Sequence, residues 1–92
     1  MNSEHKADLL KRLKTIEGHV RGVQRMVEAD TYCINLLNQT RAIRQALASL
    51  DQRILDEHLH TCVTTAIQSE SLDERERVVR ELLDVFEARQ SA

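Results

Sequence analysis

The stretch TYCINLLNQTRAIRQALASLDQRILDEHLHTCVTT, residues 31–65, decides the fold. Its 35 residues contain no glycine and no proline. Leu36, Leu37, Ile43, Leu47, Leu50, Ile54, Leu59 and Val63 recur at helical spacing. That pattern predicts one long amphipathic helix. Both cysteines of the chain, Cys33 and Cys62, lie on it, and His58 stands one turn before Cys62. Residues i and i+4 of an α-helix project from the same face. His58 and Cys62 are thus placed to hold one metal ion together.

Cys33 precedes Cys62 by 29 positions. At about 100° per residue the two cysteines face nearly the same way, yet at ~1.5 Å per residue they lie roughly 43 Å apart along the axis. One unbroken helix cannot bring both to one metal. A second copy running antiparallel sets Cys33 of one chain beside His58 and Cys62 of the other, and a symmetric dimer then owns two such sites. In that register facing positions sum to about 93, the two-fold axis passes near Ala46 and Leu47, and Ile43 meets Leu50 of the other chain. Two thiolates and one imidazole suit Cu(I), which accepts three ligands, whereas zinc normally takes a fourth. The plain alternative is a cysteine buried as a small hydrophobe beside a solvated histidine.

Composition bounds the rest. Ninety-two residues make one small domain, 1–92. Tyr32 and Phe86 are the only aromatics, there is no proline, and Gly18 and Gly22 are the only glycines. Helix formers dominate, so the class is all-α. So thin a core predicts stabilisation by oligomerisation. There is no apolar run long enough to span a membrane and no signal-peptide core, so the expected location is cytoplasmic. In a reducing compartment two cysteines are better ligands or reactive thiols than a structural disulfide.

Net charge is −2, but it is unevenly spread. Residues 1–53 carry nine Lys/Arg against six Asp/Glu, and residues 54–92 carry four against nine. In the first half Leu9, Leu13, Ile16, Val20, Val23 and Val27 form one apolar helix face. Lys11, Lys14, Gly18, Arg21 and Arg25 form the opposite one, with Arg12 and His19 at the edge. A solvated face looks like this too. The basic stripe carries no interleaved acid, and Gly18 leaves room for close approach. Cations along a rigid helix neutralise successive phosphates, and with no aromatic platform for single strands duplex DNA is the better partner. Residues 1–5 read as a frayed lead-in, with Ser3 a candidate cap. Asp30 or Thr31 caps the second helix, and Ser71-Leu-Asp-Glu74 matches a capping box for the third. The expected helices are about 6–28, 31–67 and 72–88.

Arg12-Leu-Lys-Thr-Ile-Glu-Gly-His19, Tyr32-Cys33, His58-Leu-His-Thr-Cys62 and Glu81-Leu-Leu83 together resemble the CsoR/RcnR family of bacterial repressors, most of all its copper-sensing branch. The resemblance covers roughly residues 5–88. It implies a three-helix protomer in an antiparallel dimer, paired into a homotetramer. It implies Cu(I) on Cys33, His58 and Cys62, with Tyr32 and Glu81 around the metal linking it to DNA affinity. It also implies a repressor that binds operator DNA when metal-free and releases it on binding Cu(I). Arg12 and Lys14 match positions associated with operator binding, joined by Lys11 and Arg21. Ser49 stands where some relatives carry a basic residue, so Arg41 and Arg53 take over that share.

Other readings stay beside this one. The nickel and cobalt branch has histidine at the position of Cys62 and adds an amino-terminal histidine, for which His5 is available. His60 points away from the His58–Cys62 face. The formaldehyde-sensing branch needs an amino-terminal proline, and residue 2 is Asn. A persulfide-sensing branch uses two thiols without the histidine. A thiol enzyme with a Cys–His dyad lacks an evident pocket, oxyanion hole or orienting partner, so no enzymatic activity is expected.

Overall fold

A computed structural model describes residues 1–91, with side chains to residue 88. Its elements are α1 (Ser3–Glu28), α2 (Cys33–His58), a π-helix (Leu59–Val63), α3 (Thr64–Gln68) and α4 (Leu72–Ser91). Every regular element among the described residues is helical. The π-helix and α3 continue α2 in the chain without a non-helical residue, so the sequence of elements reads as three helical segments, as an all-α protomer of three helices requires. It divides into two compact units, Met1–Leu55 and the part from Asp56 onward.

In the first unit α1 starts at Ser3, not at residue 6. Asn2 is the N-cap, and its side-chain oxygen accepts from the His5 backbone N–H at 2.8 Å. Asn is among the best residues for this task, and Glu4 in the first turn favours the positive helix end. The lead-in expected to fray is therefore capped. At the other end Asp30 adopts φ 55°, the left-handed region. The Thr31 N–H reaches back to the Met26 carbonyl at 3.0 Å and the Asp30 N–H to Val27 at 3.1 Å. These paired bonds satisfy carbonyls that a helix end leaves open. Asp30 thus closes α1 and does not cap α2. The residue before α2 is Tyr32, whose carbonyl accepts from Asn35 and Leu36.

Leu9 and Leu50 are the buried residues of this unit, with Ile16, Val23, Met26, Leu36 and Ile43 half-buried around them. His19 Nε2 and Gln39 Oε1, 2.7 Å apart, tie α1 to α2. The apolar face of α1 is split lengthwise. Leu9 is covered, while Leu13, Val20 and Val27 lie open at seven-residue spacing. On α2, Leu47 and Ile54 are open. Leu50, expected to meet Ile43 of another chain, is already buried in the single chain.

In the second unit Val63, Ala66 and Val78 form the core, and Leu82 packs against it. Ser71 does cap α4, its hydroxyl accepting from the Glu74 N–H at 3.3 Å. The return half of the capping box is made differently. Ser69 Oγ, not Glu74, accepts from the Ser71 N–H at 3.1 Å, because Glu74 is drawn to Arg77 at 3.2 Å. Val79, Leu83 and Phe86 leave a second apolar stripe exposed. No helix among the described residues is long and apolar enough to cross a membrane.

Candidate metal centre and basic face

His58 ends α2 with its Nε2 3.6 Å from Glu81 Oε1 on α4. That distance is an ion-pair contact, longer than a hydrogen bond. Metal-bound histidines commonly turn their second nitrogen to a carboxylate, which fixes the ring and raises its basicity. With Nε2 on Glu81, Nδ1 is the nitrogen left for a metal. The other oxygen of Glu81 accepts from Arg77 Nη1 at 2.8 Å, and Arg77 also reaches Glu74. Glu81 is thus held from two sides, facing His58.

Cys62 is exposed and lies in the π-helix. A π turn closes over five residues instead of four, so the i, i+4 stacking of His58 on Cys62 read from the sequence is loosened here. Side chains stabilise the wide turn. Thr61 Oγ1 donates to the Glu57 carbonyl at 2.8 Å, Thr64 to Leu59 at 2.8 Å and Thr65 to Thr61 at 2.7 Å. Three threonines within five residues are poor helix formers that bond backbone carbonyls readily. That cluster was the readable signal of the irregularity. His60 belongs to the same system, its Nδ1 donating to the Asp56 carbonyl at 2.8 Å. This bond, with the Asp56 carboxylate beside it, holds the His60 imidazole above its ordinary pKa.

Cys33 is the first residue of α2 and is exposed, and Tyr32 before it is 69% exposed. Among the described residues no three His, Cys, Asp or Glu side chains of one chain are gathered to hold a metal ion. The donor set itself, two free thiols and an imidazole backed by a carboxylate, fits a soft, low-coordinate cation.

On the first unit Lys11, Arg12 and Ser49 line one groove. Three of the predicted cations already have partners. Arg21 Nη2 donates to Glu17 at 2.6 Å, so the basic stripe does have an acid within reach. Arg12 Nε meets both oxygens of Asp8 at 3.2 Å, and Arg53 Nη1 reaches the same carboxylate at 3.5 Å. Among the described residues Lys11, Lys14 and Arg41 make no ion pair. The acids of α1 sit one turn before their arginines, and period alone did not show which would swing onto them.

A family model described as metal-sensitive transcriptional repressor matches residues 5–88. The copper-sensing transcriptional repressor CsoR of Bacillus subtilis is 44% identical over 85 residues, 92% of this chain and 81% of that protein. The copper-sensing transcriptional repressor RicR of Mycobacterium tuberculosis is 48% identical over 65 residues, 71% of this chain and 68% of that one. The crystal structure of the copper-sensing repressor CsoR with Cu(I) from Geobacillus thermodenitrificans has a similar fold, with a TM-score of 0.88 at 41% identity over 98% of this chain and 91% of that one.

Proposed function

Since the chain belongs to the family of metal-sensitive transcriptional repressors, we propose that it is a Cu(I)-responsive repressor of copper-handling genes. Members of this family bind DNA and are not enzymes, which removes the thiol-dyad reading. In the proposed cycle the metal-free protein holds operator DNA in the cytoplasm and loses it on binding copper. A ligand moves such an equilibrium only by its differential affinity, so the DNA-incompetent form must be the tighter copper binder.

The observation that carries the reading is His58, backed by Glu81 and leaving Nδ1 free, close in the chain to the Cys62 thiol. A persulfide sensor has no use for that imidazole, and a nickel sensor would replace the thiol. A bound Cu(I) would be held by two thiolates and one imidazole, a donor set that suits a soft, low-coordinate cation. Cys33, His58 and Cys62 would be its ligands, and Tyr32 and Glu81 would be the residues around it that couple it to DNA. Operator contacts come from Lys11, Arg12, Lys14 and Arg21 of α1 with Arg41 and Arg53 of α2.

The site is shared between chains. Cys33 opens α2 and His58 closes it, and a helix of that length spans about 39 Å. The open apolar stripes support a second copy and then a pair of dimers. They include Leu13, Val20 and Val27 on α1, Leu47 and Ile54 on α2, and Val79, Leu83 and Phe86 on α4. Exposed apolar side chains on a chain with so few buried residues call for a partner. On the first unit an open groove of about 670 Å³ is lined by Val20, Val23, Val27 and Ile43.

Mixing tests this. Cys33→Ala and Cys62→Ala proteins each lose the three-ligand site. Unfolded together and refolded, about half the dimers are mixed and each regains one of two sites, so roughly a quarter of the sites return. Heterodimers that bind no copper would refute the shared site.

A further inference from the structure

Asp8 sits where two helices of the first unit bring their cations together. Both of its oxygens lie 3.2 Å from Arg12 Nε on α1, and one lies 3.5 Å from Arg53 Nη1 on α2. All three side chains are partly exposed. Asp8 and Arg12 also line the rim of an open groove of about 360 Å³, shared with Lys11, Thr15 and Ser49. No other carboxylate among the described residues holds guanidiniums from two different helices.

We infer that Asp8 is an electrostatic brake on DNA binding, occupying Arg12 and Arg53 in the free protein and repelling the phosphates that would take them. The inference rests on the reading that these two arginines face DNA. A phosphate oxygen that bonds either guanidinium must displace Asp8 or settle within about 7 Å of it. Like charges at that distance in solvent weaken the contact by roughly threefold at most for each phosphate, and less as salt screens them. Phosphate contacts carry no sequence information, so the brake acts on operator and random duplex alike. It keeps the metal-free protein from saturating on non-operator DNA, where electrostatics supply nearly all the affinity. Asp8 is a positioning residue acting through two arginines.

The test measures binding of metal-free protein to operator and to random duplex across a salt series. Asp8→Asn removes the charge and keeps the shape. The inference expects both affinities to rise by about two- to tenfold, with operator preference retained and a salt slope no shallower than before. The gain should shrink when Asp8→Asn is made in an Arg12→Ala or Arg53→Ala background, as interacting residues require. Asp8→Ser repeats the measurement should the amide fold poorly, and thermal melting checks both. Weaker binding or unchanged affinity in a folded Asp8 variant overturns the brake. If Arg12→Ala and Arg53→Ala themselves leave affinity untouched, the reading of the basic face fails and takes the inference with it. If they weaken binding while Asp8→Asn does not strengthen it, the inference alone fails.

Discussion

Replacing Glu81 by Gln should uncouple copper from DNA without removing copper. The carboxylate oxygen lies 3.6 Å from His58 Nε2, and the two side chains are 47% and 35% exposed. A part-exposed pair of this kind is worth about 1 kcal/mol or less. The contact is differential. Once Nδ1 carries a metal, the ring proton resides on Nε2 and points at Glu81, which strengthens the bond in one state only. A difference of about 1 kcal/mol is roughly fivefold in an equilibrium constant. The copper-induced fall in DNA affinity should therefore shrink by up to about fivefold in Glu81→Gln, with one Cu(I) per protomer still bound. Arg77→Met serves as the control. It removes the 2.8 Å partner of the other Glu81 oxygen and leaves the His58 contact, so coupling should be kept. The assay is fluorescence anisotropy of labelled operator in anaerobic buffer, with and without Cu(I), beside chelator competition for stoichiometry. Loss of copper stoichiometry would make Glu81 a ligand, and unchanged release would make the contact idle; either refutes the reasoning.

Val78 and Val79 are adjacent, yet Val78 is 3% exposed and Val79 52%. Val78→Ala should cost about 2 kcal/mol at any protein concentration, from lost transfer energy and the cavity. Val79→Ala should cost a similar amount only where a second copy covers it, and a melting series at varied concentration separates the two. Asp30, at φ 55°, should tolerate Gly or Asn with little change, whereas Asp30→Val should lower stability by about 1–2 kcal/mol in denaturant melts. Metal-free protein followed by NMR should show His60 titrating above 6.5, and Asp56→Ala, which keeps the backbone bond and removes only the carboxylate, should lower the midpoint in part. The sign follows from the raised pKa. The Asp56 contact favours the protonated ring, so its effect is present below 6.5 and fades as pH rises through the folded value.

The helices were legible because nothing interrupts their apolar period, and Ser71 marked the start of α4 in plain view. What escaped was decided by backbone geometry. Asp30 reads as an N-cap by residue type, but its left-handed φ lets it close the preceding helix. Asn2 looked like part of a loose end, yet its side-chain oxygen has the His5 N–H to accept from. The π turn beneath Cys62 has no period of its own; only the threonines hint at it. Apolar spacing shows which residues share a face and not which half of the face is covered: Leu47 and Leu50 belong to one pattern, yet Leu47 is 40% exposed and Leu50 6%. Of the candidate centre, His58 and Cys62 were readable from their spacing. Glu81 beside His58 was not, since α4 supplies it from 23 positions away, and only the family resemblance pointed to it. Asp8 on two arginines left no trace in the pattern, because a bridge between helices has no period.

The central claim is that copper on Cys33, His58 and Cys62 is what releases DNA. The most direct measurement is an anaerobic Cu(I) titration of the metal-free protein bound to an operator duplex, selected from genomic fragments by the protein itself. DNA release and ultraviolet thiolate–copper absorption are recorded in the same cuvette. Both should rise together and level off at one Cu(I) per protomer, and Cys33→Ala and Cys62→Ala proteins should stay on the DNA. Copper sites that fill while the operator remains bound, or release that needs a persulfide donor and ignores copper, would contradict it.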